Sequence, residues 1–182
     1  ADAGPLTAET CENDSVQVGG SPTASGSFGG YTYSWSPIST GGINTPTVSN
    51  PYVRPTPTPP ASVMVKVVVT DSYGCTAEDS INVTVRPFPT VNLAYTDTLK
   101  CSLDTIVMGG SPTAFGGTGP LTYSWSPLTA LLGGSTSPNP STFVSSSTNY
   151  IVIVTDSIGC QGTDTVKITI APSPFANAGS SF

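Results

Sequence analysis

Alternating aromatic and hydroxyl side chains mark one segment of the chain as a half-buried β-strand. Tyr31, Tyr33 and Trp35 occupy every second position, with Thr or Ser between them. A period of two places the rings on one face of a strand and the hydroxyls on the other. The segment 32–37 then recurs letter for letter at 122–127. The chain is therefore predicted to contain two copies of one β-domain, each with this strand at its centre.

The same alternation predicts three further strands in each copy. Asp-Ser-x-Gly at 71–74 and at 156–159 predicts a tight hairpin turn with glycine in the left-handed conformation. No window shows helical periodicity, so we expect an all-β protein in which each copy is a sandwich of two antiparallel sheets. The positions predicted to face inward are Val16, Val18, Val65, Val67, Val69, Ile81, Val83 and Val85, and in the second copy Ile106, Met108, Tyr150, Val152, Val154, Val166, Ile168 and Ile170.

The repeat sets the predicted domain boundaries. Between residues 11–37 and 101–127, 16 of 27 positions are identical. We expect one domain over 1–88 and another over 89–173, each large enough to bury its own core, with proline-rich links after each. Residues 176–179 resemble the opening of the first repeat, so 174–182 is predicted to be the start of a third repeat or a linker, and the chain part of a longer array.

Composition excludes several classes of function. Net charge is -6 and only 9% of residues are charged, so no basic surface is available for nucleic acid or anionic membrane. No apolar run is long enough for a transmembrane helix, and no signal-type segment opens the chain, which predicts a mature secreted product or a piece of one without membrane insertion. Histidine is absent, which excludes Ser-His and Cys-His catalysis.

Acidic side chains are expected at separate places in the fold instead of together in a cleft. Most are predicted to lie at strand starts or turns and to accept local backbone N–H groups, namely Asp14, Asp71, Asp79, Asp104, Asp156 and Asp164. A glycosidase would need two carboxylates on opposed walls of one cleft. The chain is therefore predicted to be non-catalytic and to need no cofactor.

The four cysteines fall two per repeat. Cys11 and Cys75 belong to the first, and Cys101 and Cys160 to the second. This matched placement predicts one disulfide within each repeat and an oxidising, extracellular setting. The alternatives are four buried free thiols in a cytosolic protein, or a zinc site, which is disfavoured because the spacing is wide and histidine is lacking.

Four segments carry a resemblance to a known family. They are residues 109–114, 123–127, 150–160 and 176–179, with their counterparts in the first repeat. Together they resemble the PKD-like repeats of secreted and cell-surface proteins of Bacteroidota, over nearly the whole chain. The resemblance implies Ig-like sandwich domains in long arrays, which serve as stalks, spacers or binding modules on adhesins, gliding-motility proteins and exported enzymes. Ser-Pro at 36–37 and 126–127 replaces the acidic turn usual in PKD domains, so a calcium or ligand role of that turn is not implied.

A three-residue pattern suggests sites of modification. Six aspartates are followed by a hydroxyl residue and then an aliphatic one, a pattern that resembles the O-glycosylation acceptor of exported Bacteroidota proteins. Strand alternation predicts that several of these hydroxyls point outward. Alternatively, a turn aspartate followed by an out-in strand pair produces the same letters. The candidate residues are Ser15, Ser80, Thr98, Thr105, Ser157 and Thr165.

Aromatic residues outside the predicted core are the candidates for ligand binding. Trp35 and Trp125 belong to an alternating strand, so we expect them in the core and not as sugar-stacking platforms. Phe28, Tyr52 and Phe115 lie in predicted loops and are the weak candidates for contact with a surface polysaccharide.

Oxygen-bearing side chains recur at the repeat openings. Asp2, Asn92 and Asn177 could help to hold a calcium ion at a repeat junction, or else hydrogen-bond to the linker. The sequence as a whole predicts a structural or adhesive segment of an extracellular array or surface filament, with neighbouring repeats or copies of itself as partners. A carbohydrate-binding or spacer module of a secreted hydrolase is the alternative.

Overall fold

The structure is a computed structural model that describes residues 1–26, 30–36, 42–56, 61–94, 97–172, 174–176 and 179. Every regular element in these residues is a β-strand, which confirms the predicted all-β class. The chain forms two compact units. Unit 1 comprises Ala1–Phe88 with Ile158–Cys160, and unit 2 comprises Pro89–Ser157 with Gln161–Phe182.

Six strands form two sheets in the described residues of unit 1. The larger has the order β1-β6-β5-β3, and β2 pairs with β4 in the smaller. All pairs are antiparallel except β1 with β6, which run parallel. The strands are β1 (Thr7–Cys11), β2 (Val16–Gln17), β3 (Thr32–Ser36), β4 (Tyr52–Val53), β5 (Ala61–Thr70) and β6 (Thr76–Arg86).

The core of unit 1 lies between these sheets. The predicted inward residues of β5 and β6 are buried, as is Trp35, which is 1% exposed. Val18, Ile43 and Val53 come from the β2–β4 side and pack into the same cluster. Alternation thus brings one face of each sheet into contact, because side chains change face at every residue.

Unit 2 contains nine strands among its described residues. Its main sheet has the order β11-β14-β15-β8, β12-β13-β9 form a second sheet, and β10 pairs with β7. Again one pair, β15 with β8, is parallel. The strands are β7 (Pro89–Val91), β8 (Asp97–Lys100), β9 (Thr105–Val107), β10 (Ala114–Gly116), β11 (Thr122–Ser126), β12 (Leu131–Leu132), β13 (Ser141–Phe143), β14 (Thr148–Thr155) and β15 (Gln161–Ile170).

The core of unit 2 repeats that of unit 1 with one polar addition. Its predicted inward residues are buried, except Ile170, which is partly buried. Tyr150 is fully buried, and its hydroxyl lies 2.8 Å from that of Thr142 and donates to the Thr129 carbonyl at 2.6 Å. The predicted fold of tandem Ig-like β-sandwich domains is confirmed, with one parallel edge pair in each main sheet beside the antiparallel ones that we expected.

Both tryptophans are core residues, as predicted. Trp125 is 1% exposed, like Trp35. The indole N–H of Trp35 donates to the Val48 carbonyl at 3.0 Å, and that of Trp125 donates to the Ser137 carbonyl at the same distance. A buried ring whose polar edge is already hydrogen-bonded has no face for a sugar, so these residues are not stacking platforms.

The predicted hairpin turns are present. Gly74 has φ of 85° and Gly159 has φ of 93°, a region that favours glycine. The Asp71 carboxylate accepts the backbone N–H of Tyr73 and of Cys75, both at 2.9 Å. The first turn is therefore held by its own aspartate, as the sequence suggested.

The predicted disulfide within each repeat is wrong. Cys11 is bonded to Cys160, while Cys75 and Cys101 are free and exposed. The reason is the length of the last strand in each repeat. Cys11 lies opposite Arg86 at one end of β6, and Cys75 precedes the other end, roughly 30 Å away at the usual rise of a strand. A disulfide needs Cα atoms within about 7 Å.

The same separation holds in the second repeat, where Lys100 lies opposite Ile170 and Cys160 precedes β15.

Two aspartates lie elsewhere than we expected. Asp79 and Asp164 are inside β6 and β15, not at strand starts or turns, because the tight hairpins let the ladders begin at Thr76 and Gln161. The Asp79 carboxylate accepts the N–H of Ala3 at 2.8 Å and that of Ser80 at 2.8 Å. It therefore ties the start of the chain to the last strand of unit 1.

Asp79→Asn is expected to lower the stability of unit 1 at neutral pH. The hydrogen bonds from Ala3 and Ser80 hold the pKa of Asp79 below its ordinary value of 3.8. A carboxylate with a lowered folded pKa stabilises the fold above its unfolded pKa, and this contribution is lost as pH falls through the folded pKa. We expect a loss of about 1–2 kcal/mol at pH 7 that disappears in acid.

Thermal unfolding of the wild type and of Asp79→Asn, from pH 7 down to acid, measures the difference in stability between them. Asp164→Asn is the matched control, since Asp164 accepts the N–H of Thr165 at 2.7 Å at the corresponding place in unit 2. A loss for Asp79→Asn that is as large in acid as at pH 7 would contradict a contribution from the charge.

Candidate functional site

A shallow groove on unit 1 brings two predicted residues together. It has a volume of about 730 Å³ and contains both Ser15, a glycosylation candidate, and Tyr52, a binding candidate. We call it the Tyr52 groove. Its lining residues are Asn13, Ser15, Gly42, Asn44, Tyr52, Arg54 and Thr56.

Strand β4 positions the aromatic side of the Tyr52 groove. Val53 is buried and lies opposite Val16, so Tyr52 and Arg54 on either side of it point outward. Tyr52 is 47% exposed. The Asn44 side-chain oxygen accepts the N–H of Tyr52 at 2.9 Å and holds this strand against the neighbouring loop. The exposed Tyr52 ring is thus carried by a backbone that is hydrogen-bonded to Asn44.

The Tyr52 groove combines an exposed aromatic ring with hydrogen-bonding side chains. An exposed phenol ring offers an apolar face, while the Arg54 guanidinium and the Asn44 amide offer donors and an acceptor beside it. An apolar ring face beside hydrogen-bond donors and an acceptor can contact a ligand that has both apolar and polar groups. Arg54 and Asn44 were not among the residues predicted from the sequence, although the alternation of Tyr52, Val53 and Arg54 was a signal for Arg54.

Unit 2 carries different residues at the corresponding place. Thr142 of β13 lies opposite Ile106, as Val53 lies opposite Val16, so Ser141 and Phe143 correspond to Tyr52 and Arg54. The cavity beside Phe143 has a volume of about 140 Å³, and its lining combines Leu103, Ala130 and Val144 with hydroxyl-bearing residues. The two repeats share a core, but they do not share this surface.

The other aromatic candidates are not part of the Tyr52 groove. Phe115 was expected in a loop but lies on β10, opposite Thr90 of β7, and is 52% exposed. Pairing of β10 with β7 turns part of the predicted loop into a short strand. Phe28 lies outside the described residues.

The hydroxyls predicted as glycosylation sites differ in exposure. Ser15, Thr105, Ser157 and Thr165 are exposed, whereas Ser80 and Thr98 are partly buried. The hydroxyl of Ser157 donates to the Thr118 carbonyl at 2.6 Å. Strand alternation thus places Ser15, Thr105 and Thr165 outward, and their modification stays a prediction.

The candidate calcium residues make local contacts. The Asp2 carboxylate accepts the N–H of Gly4 at 2.9 Å, and the Asn92 backbone N–H donates to Thr113 at 2.7 Å. Asn177 lies outside the described residues. Within the part of the chain that the structure describes, no three His, Cys, Asp or Glu residues are grouped as metal ligands. Neither hydrogen bond is to the proline-rich link between the repeats, so the calcium site and its alternative, hydrogen bonding to the linker, both remain predictions.

Comparison with known proteins returns structures only. No family model matches the chain, and no curated protein matches it. A titin I-band fragment, I67-I69, is 13% identical with a TM-score of 0.39, and the match covers 92% of this chain and 63% of that one. Fibronectin(III)-like modules of Clostridium thermocellum CbhA are 15% identical with a TM-score of 0.41, covering 96% and 94%. The insect immune protein hemolin is 11% identical with a TM-score of 0.37, covering 92% and 45%. These values assign no function.

Over the described ranges, the chain has no helix with the length and apolar character needed to cross a bilayer.

Proposed function

We propose that the chain is a non-catalytic structural and adhesive segment of an extracellular array or surface filament. Its repeats are residues 1–88 and 89–173, and 174–182 begins a third repeat or a linker. The observation that supports this function is the matched pair of cores. Each half of the sequence builds its own buried cluster around one tryptophan, Trp35 or Trp125, from the same repeated strand. Such units transmit load and set distance through their geometry.

The disulfide and the composition of the chain support an extracellular location for this array. The Cys11–Cys160 disulfide fits an oxidising compartment outside the cytosol. Low charge and many exposed hydroxyls fit a hydrated cell surface, with neighbouring repeats or copies of the chain as partners. Exposed Ser15, Thr105 and Thr165 are the best placed acceptors for O-linked sugar.

The test is the state of the native polypeptide. Antibodies against the chain should label intact cells, and the intact mass of the purified native protein should exceed that of its sequence by sugar units. Reduction should add two hydrogens for each disulfide. Native protein that is found only inside cells, with all thiols free and no added mass, would contradict the proposal.

A second candidate function is the binding of a polysaccharide in the Tyr52 groove. It is favoured by the exposed Tyr52 ring beside the hydrogen-bonding groups of Arg54 and Asn44. This function fits a binding module attached to a secreted hydrolase as well as an adhesin. It would reside in unit 1, because the corresponding place in unit 2 carries Ser141 and Phe143.

Tyr52→Ala is expected to weaken polysaccharide binding about tenfold or more, since stacking on an aromatic ring contributes on the order of 1 kcal/mol beyond the buried area. A glycan array identifies the polysaccharide, and titration calorimetry with that polysaccharide then measures the affinity. Phe115→Ala is the control, because it removes an equally exposed ring outside the groove. Equal affinity of wild type and Tyr52→Ala would exclude the groove as the binding site.

A further inference from the structure

Two exposed cysteines form no disulfide in the part of the chain that the structure describes. Cys75 follows the Asp-Ser-x-Gly turn that leads into β6, and Cys101 follows β8. The predicted pairings within the repeats are excluded by the length of β6 and β15. The free thiols of Cys75 and Cys101 are therefore not halves of a disulfide within their own repeats.

Each free cysteine has a bonded counterpart at the same place in the other repeat. Cys11 and Cys101 end β1 and follow β8, the strands that run parallel to the last strand of their repeats, and we call them the strand-end cysteines. Cys75 and Cys160 each come directly after a turn glycine, and we call them the turn cysteines. The disulfide joins one cysteine of each kind.

In this disulfide the strand-end cysteine comes from the earlier repeat and the turn cysteine from the later one. The strand-end cysteine of the first repeat is bonded to the turn cysteine of the repeat that follows it. The same rule leaves Cys75, the turn cysteine of the first repeat, without a preceding strand-end cysteine. It also leaves Cys101, the strand-end cysteine of the second repeat, without a following turn cysteine. These are the two cysteines that the structure leaves free.

We propose that Cys75 and Cys101 are attachment sites for further repeats of this type. Cys101 bonds to the turn cysteine of the following repeat, and Cys75 to the strand-end cysteine of the preceding one. Each bond forms by exchange with a disulfide oxidant such as oxidised glutathione. One thiolate attacks the oxidant and releases one reduced thiol, and the second thiolate then displaces the other. Two protein thiols thus become one disulfide, and one oxidant disulfide becomes two thiols.

The consequence is a covalent chain of links along an array. Every repeat would carry one bond towards each neighbour, so a backbone cut between two linked cysteines would not separate the array. The inference deepens the proposed array function and rests on it for its biological setting. The chemistry itself can be tested without that setting.

The test uses two copies of the chain joined in tandem, with Phe175 of the first followed directly by Ala1 of the second. Phe175 lies 15 residues after Cys160, as Thr90 lies 15 residues after Cys75, so this junction keeps the natural spacing between repeats. Cys101 of the first copy and Cys75 of the second are then 149 residues apart, the same separation as that of Cys11 and Cys160. The protein is refolded in a buffer of oxidised and reduced glutathione, alkylated and digested without reduction.

We expect mass spectrometry to identify a peptide that joins Cys101 of the first copy to Cys75 of the second, together with both Cys11–Cys160 bonds. Cys75 of the first copy and Cys101 of the second are internal controls, since they lack a neighbouring repeat and should stay alkylated. Cys101→Ser in the first copy should leave Cys75 of the second alkylated as well.

Three results would overturn the inference. The first is alkylation of the two junction cysteines in a protein whose Cys11–Cys160 bonds have formed. The second is their random pairing with the control cysteines, and the third is failure of the Cys11–Cys160 bond itself. A native protein found inside cells would refute the extracellular function, yet it would leave the result for the tandem protein unchanged.

Discussion

Cys11→Ser is expected to lower the free energy of unfolding by about 5 kcal/mol, the largest single effect that we foresee. The Cys11–Cys160 bond closes a loop with a sequence separation of 149. Removing it releases the unfolded chain from this constraint, and the entropy gained grows with the logarithm of loop length. Cys160→Ser should have the same effect, because either substitution opens the same loop.

Cys75→Ser and Cys101→Ser are the matched controls. Both thiols are exposed and free, so each substitution should change stability by less than about 0.5 kcal/mol. Urea denaturation of the four variants, with and without a reductant, measures the differences. If Cys75→Ser and Cys11→Ser were equally destabilising, the bond within the first repeat would be correct and the pairing in the structure wrong.

Trp125→Ala is expected to destabilise unit 2 by about 3–5 kcal/mol. The ring is 1% exposed at the centre of the unit 2 core, where its removal leaves a large cavity. The Ser137 carbonyl also loses the indole N–H that bonds to it at 3.0 Å. Loss of packing and loss of a buried hydrogen bond act in the same direction.

Amide hydrogen exchange shows which strands are destabilised in Trp125→Ala. Amides of β14 and β15 should lose protection in Trp125→Ala, since both strands belong to the same sheet as Trp125 and their buried residues share its core cluster. Leu128→Ala is the control, because this leucine is close in sequence but 68% exposed. Protection in Trp125→Ala that equals protection in Leu128→Ala would mean that the ring does not hold the core together.

Strand identity and core composition were readable from the sequence for a local reason. Side chains along a strand change face at every residue, so the spacing of Val65, Val67 and Val69 predicts which face of the strand is buried. The turn before Cys75 was equally readable, because Asp71 and Gly74 act on their own neighbours. The duplication then carried each inference from one repeat to the other.

Features that join distant parts of the chain were not readable in this way. The partner of Cys11 depends on how far apart the two ends of β6 lie, and the pattern of letters holds no such distance. The parallel pairing of β1 with β6 and the bond from Ala3 to Asp79 likewise link residues more than seventy positions apart. Periodicity reports which face a residue occupies, whereas contacts between remote strands depend on register, and register is set by the packed fold as a whole.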